Sequence, residues 1–174
     1  MLRNRRLVNL GCALVCAGLM AYAVGYAQMV QHLEPCPLCI FQRVGVMALG
    51  VIFLAAAIQH PRRAGAIVYA VLIALAALAT MGVATRHLYI QSQPPGSIPA
   101  CGAPFNVLMQ MFSIWEAIRK VLHAGGECAQ VDKVLGLAMP AWVLIWAALL
   151  GGVGVFVNVR ADGARGGLRM AARP

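Results

Sequence analysis

Six cysteines are spread unevenly over the 174 residues. Cys36 and Cys39 form a Cys-x-x-Cys pair, and Cys101 and Cys128 stand far downstream. Two thiols this close can open and close one disulfide, which makes Cys-x-x-Cys the usual working unit of thiol–disulfide exchange. The same four residues admit two other chemistries. They could form inert disulfides that staple loops, or a metal site, although zinc commonly takes two closely spaced pairs. Spacing alone leaves all three open. Cys12 and Cys16, one helical turn apart in an apolar run, read as small filler at a helix contact.

The surroundings of the first pair favour a redox relay. Pro35 and Pro37 flank Cys36 and bias it away from helical geometry. Pro37 suits the first position of a helix, with Cys36 as its cap and Cys39 in its first turn. Thiolates there face unpaired N–H groups and the positive end of the helix dipole, a setting that favours them. Arg43 follows Cys39 by four residues and so shares its face one turn deeper. An arginine just inside an apolar span is costly; it is either a snorkelling anchor or a functional group. Beside Cys39 it could stabilise thiolate and hydrogen-bond an oxygen of a ligand arriving from the lipid. A membrane thiol enzyme must pass two electrons onward, and no haem or flavin motif is visible. A lipid-soluble acceptor fits.

The elements that must position these residues are membrane helices. Apolar residues make up 61% of the chain, charged residues only 11%, against about 25% charged in a soluble domain. That composition excludes a cytosolic enzyme, a nucleic-acid binder and a disordered chain. Crossing about 30 Å of hydrocarbon takes roughly 20 apolar residues, and four runs supply them, over about 7–27, 40–58, 64–85 and 138–159. The runs lack the two-residue alternation of barrel strands. The expected fold is an all-α, four-transmembrane-helix bundle forming a single integral membrane domain, with a short loop over about 28–39 and a long one over about 86–137.

Orientation follows from the basic residues. The side holding both termini and the 59–63 link carries nine of the 14 Lys and Arg residues and one acid. The other side carries five basic and four acidic residues. The positive-inside rule therefore places both termini in the cytoplasm and all four loop cysteines outside. The basic tails then hold lipid and topology, not nucleic acid. Met1–Arg6 with Ala21-Tyr22-Ala23 loosely resembles a signal peptide, but the apolar run is about twice as long as a typical one. Within the long loop, polar positions from Asn106 to His123 recur every three or four residues, as in a helix lying on the membrane surface or capping the bundle.

The chain resembles the disulfide bond formation protein B family, the membrane oxidases of bacterial periplasmic thiol oxidation. The resemblance rests on Cys36-Pro37-Leu38-Cys39-Ile40-Phe41-Gln42-Arg43, on Cys101, on Gly125-Gly126-Glu127-Cys128 and on Gly136-Leu137-Ala138-Met139-Pro140-Ala141-Trp142. It implies a bacterial inner-membrane thiol:quinone oxidoreductase with catalytic Cys36, Cys39, Cys101 and Cys128 and no metal. A DsbA-like periplasmic thioredoxin-fold oxidase would attack Cys101 with its reduced thiol, with Cys128 carrying the exchange to Cys36. Cys39 would then donate to a quinone, ubiquinone ahead of menaquinone. Arg43 would polarise a quinone oxygen, and His87 sits where the family has a histidine close to the quinone. The stretch 129–133 lacks the tryptophan many members carry, and Glu127 disfavours a thiolate at Cys128, which suits a resolving thiol. Two rivals stand beside this expectation. One is a vitamin-K-epoxide-reductase-like enzyme, in which the Cys-x-x-Cys comes after the loop cysteines. The other is a non-catalytic tetraspan scaffold with structural disulfides.

Overall fold

The computed structural model describes residues 2–30, 36–59, 61, 63–94, 115–116, 133–134 and 136–170. Helix α1 (Leu2–Ala21) continues into a π-helical segment, Tyr22–Gln28. It is followed by α2 (Pro37–Gln59), α3 (Arg63–Gln91) and α4 (Met139–Met170). Within them, Arg5–Tyr26, Pro37–Gln59, Ala64–Gln91 and Met139–Arg160 are long and apolar enough to cross a membrane. The third runs past Thr85, where the uncharged sequence ends. Arg86 and His87 do not break a helix, and the first breaker is the Pro94-Pro95 pair.

Each helix packs on its neighbour in the chain, and α4 returns to α1, closing a four-membered bundle. The core comprises Cys12, Cys16, Val46, Leu49, Phe53, Ile73, Ala77 and Leu150. Large apolar side chains such as Val51, Leu75, Leu78 and Phe156 instead face outward. That inversion suits a lipid solvent, in which helices associate through close packing and polar pairs. Small residues make the packing close. A Cβ added at Gly154 would lie 2.6 Å from Cε1 of the fully buried Phe53. Cys12 and Cys16 are buried in this core, and the Cys16 Cβ stands opposite Gly50, as apolar filler would.

Polar contacts mark the two ends of the bundle. At one end Asn9 of α1 and Asn158 of α4, both fully buried, exchange side-chain amide hydrogen bonds of 3.3 and 3.1 Å. There too the buried Arg5 guanidinium donates to the carbonyl of Pro61, between α2 and α3. The opposite end holds the start of α2, the end of α3 and the start of α4. Just before α4, Lys133–Val134 (β1) pairs antiparallel with Leu137–Ala138 (β2). Gly136 turns this small hairpin at φ +84°, a conformation side chains resist. Cys101, Cys128 and the amphipathic stretch over 106–123 lie outside the described residues, apart from the exposed, helical Trp115 and Glu116.

Candidate functional site: a thiol pair capped onto a membrane helix

The start of α2 is built as its sequence requires. Proline needs no N–H partner and fits the first helical position, and α2 begins at Pro37. Cys36 is then the cap. Its carbonyl accepts the N–H of Ile40 at 3.2 Å. Its sulfur accepts the backbone N–H of Cys39 at 3.4 Å, the place a serine or threonine oxygen takes in an ordinary cap. Capping also brings the two side chains together. The Cys36 thiol lies 3.0 Å from Cys39 Sγ, placed to donate to it, and no disulfide joins them.

Helix α3 supplies the third member. His87 is 2% exposed, and its Nε2 lies 3.8 Å from Cys36 Sγ. The ring is held from its other side by Gln42 of α2, itself buried, with Nε2 of the amide 3.0 Å from Nδ1. Gln91, one turn further along α3, approaches the same Nε2 at 3.3 Å. The ligand atoms of Cys36, Cys39 and His87 all lie within 4.8 Å of one another.

Arg43 turns toward α1. Its Nη1 donates to Gln28 Oε1 at 2.7 Å and its Nη2 to the carbonyl of Ala23 at 3.1 Å. Both partners belong to the π-helical segment, whose wider turn alters which carbonyls the helix itself uses. A guanidinium carries five N–H groups, so these two bonds leave donors over. Within the same segment, Tyr22 and Tyr26 stack with ring centroids 5.4 Å apart.

Four of the six residues singled out from sequence are described: Cys36, Cys39, Arg43 and His87. Three of them form one cluster, and Arg43 sits one turn deeper on α2. Gln42 was not anticipated. Its signal was available, since a lone amide in an apolar span needs a partner, but the partner is 45 residues away. The cluster offers adjacent thiols and a buried imidazole at the start of an apolar helix, with Leu38 and Ile90 also buried.

The chain is similar to known proteins over most of its length. A family model described as disulfide bond formation protein DsbB matches residues 5–157. Disulfide bond formation protein B of Chromobacterium violaceum is 45% identical over 137 residues, covering 78% of this chain and 82% of the relative. Its namesake in Xanthomonas oryzae pv. oryzae is 46% identical over 135 residues, covering 76% and 78%. That of Nitrosococcus oceani is 41% identical over 155 residues, covering 88% and 91%.

Proposed function

The chain belongs to the disulfide bond formation protein B family and is a disulfide-generating oxidoreductase of the inner membrane; from that premise we propose that it oxidises a periplasmic thioredoxin-fold dithiol protein and delivers the electrons to a membrane quinone. Three exchanges, each moving two electrons and two protons, make up the cycle. The partner's thiolate attacks Cys101 of a Cys101–Cys128 disulfide. The mixed disulfide resolves to an oxidised partner and a Cys101/Cys128 dithiol. Cys128 then attacks Cys36 of a Cys36–Cys39 disulfide and releases Cys39, and Cys101 completes the transfer. The Cys36/Cys39 dithiol finally re-forms its disulfide, giving its electrons to the quinone, which supplies a two-electron, two-proton acceptor soluble in the bilayer.

The observation that carries this proposal is the 3.0 Å approach of two sulfurs at the first turn of a membrane-spanning helix, beside a buried imidazole. Cys39 is the donor, since its sulfur is the deeper of the two and shares its helix face with Arg43. His87, with its Nε2 3.8 Å from Cys36 Sγ, is the group that takes or gives a proton beside the thiol pair. Arg43, anchored by Gln28 and Ala23, directs its remaining N–H groups at a quinone oxygen. A DsbA-like oxidase is the partner, and ubiquinone, ahead of menaquinone, the acceptor. Both termini lie in the cytoplasm.

Anaerobic mixing of the reduced protein with ubiquinone tests this. Two thiols should disappear per quinone reduced. Cys39→Ser should abolish that loss, and Cys101→Ala should eliminate the covalent adduct with the soluble partner while leaving quinone reduction by the inner pair intact. Full turnover by Cys39→Ser, or an adduct that survives Cys101→Ala, would overturn the assignment.

A further inference from the structure

We propose that the dithiol form of Cys36 and Cys39, with His87, is a three-ligand site for a thiophilic divalent cation of the zinc class, and that filling it arrests turnover. The binding half stands on geometry alone; the arrest rests on the function proposed above. Cys36 Sγ lies 3.0 Å from Cys39 Sγ and 3.8 Å from His87 Nε2, and all three atoms fall within 4.8 Å of one another. Around tetrahedral zinc, with Zn–S about 2.3 Å and Zn–N about 2.0 Å, neighbouring ligand atoms stand roughly 3.4–3.8 Å apart. The cluster brackets that spacing, so side-chain shifts of about 1 Å admit the ion.

The ligands are also held in place. Cys36 is fixed by the Cys39 N–H. His87 is fixed through Nδ1 by Gln42, the kind of support that ligating histidines characteristically have at their second nitrogen. An amide is suited to both states of the ring. As found, its N–H meets Nδ1. With Nε2 on a metal, the ring proton sits on Nδ1, and the Gln42 amide turned over presents its oxygen to accept it. The two thiolates and a neutral imidazole balance the charge of the cation. The Arg43 guanidinium is occupied by its bonds to Gln28 and Ala23 and is no ligand. Water takes the fourth position, so the ion is exchangeable.

Binding releases two thiol protons to solvent and changes no oxidation state. It ties up both sulfurs, so neither can exchange nor donate electrons. The Cys36–Cys39 disulfide has no thiolates to offer, so the site exists in only one half of the cycle. Zinc would therefore trap the reduced enzyme.

The Cys101→Ala/Cys128→Ala double variant isolates the site, using Zn2+ alone as probe. Its reduced form should bind one equivalent per chain above its quinone-oxidised form and release two protons. Cys12 and Cys16 contribute equally to both forms and cancel. Cys36→Ser should abolish the difference, and His87→Ala and His87→Gln should each weaken binding at least tenfold at an unchanged thiol count. Co2+ in place of Zn2+ should give tetrahedral d–d bands with thiolate charge transfer. In the unaltered protein Zn2+ should stop quinone-dependent disulfide formation, and a chelator should restore it. Equal binding by the reduced and oxidised forms, or binding indifferent to both His87 variants, would overturn the site. A protein that reduces quinone at full rate with zinc present loses only this inference. One that captures zinc but never reduces quinone keeps the site and loses the function proposed above.

Discussion

At the level of single residues, the geometry of the site hangs on Pro37, Cys36, Arg43 and His87. Pro37 dictated where α2 starts, and that start made Cys36 a cap and put Cys39 in the first turn. Arg43 was legible as a charge too expensive to leave without a task. Its grip on Gln28 and Ala23 was not, because both partners belong to a helix whose irregular end has no local signature. His87 could be placed only near the end of a span, and its contact with Cys36 needed the packing of α3 on α2. Arg43→Ala should raise the KM for quinone about tenfold, roughly 1.4 kcal/mol of binding, and leave adduct formation with the soluble partner unchanged. Steady-state kinetics at varied quinone checks the first part, and trapping of the mixed disulfide checks the second. The reverse order of effects would make Arg43 an anchor only.

At the level of elements, length and hydropathy sufficed for four helices, since a polar backbone in hydrocarbon has few other options. The helix contacts were not readable. Asn9 and Asn158 are lone amides in apolar runs, and nothing in either run names the other as its partner. The hairpin of β1 and β2 is two residues per strand, too short for any alternation to show. Close packing of α4 on α2 depends on Gly154, where any side chain meets Phe53. Gly154→Leu should destabilise the bundle by about 1–3 kcal/mol, seen as a lower unfolding midpoint in detergent. Gly152→Leu should be close to neutral, because a Cβ there meets nothing within 4 Å.

For the whole molecule, the bundle has one end made of Arg5, Asn9, Pro61 and Asn158 and an opposite end bearing the thiols. We propose that the first end faces the cytoplasm, because most Arg and Lys residues lie on its side and basic residues near short loops resist translocation. Cysteines introduced singly into a cysteine-free version test this in intact cells. Ser92→Cys should react with an impermeant maleimide added outside, and Ala64→Cys should react only after the membrane is opened. The opposite pattern would invert the topology and remove the thiols from the oxidising compartment. Four spans and a thiol pair at one mouth were legible at this scale. The long loop carrying Cys101 and Cys128 enters through its sequence and its relatives.

The sulfur of Cys36 is a cap as well as a reactant. Whenever that atom enters a disulfide, its lone pairs become poorer acceptors and its position shifts, so the amide of Cys39 loses part of its anchor. The opening turn of α2 should then fray and re-knit once per catalytic round. Deuterium uptake at the Leu38–Phe41 amides should run faster in the oxidised chain than in the reduced one, while the rest of the helix keeps the same rate. A backbone clock of that kind would let the sulfur state be read without touching a thiol.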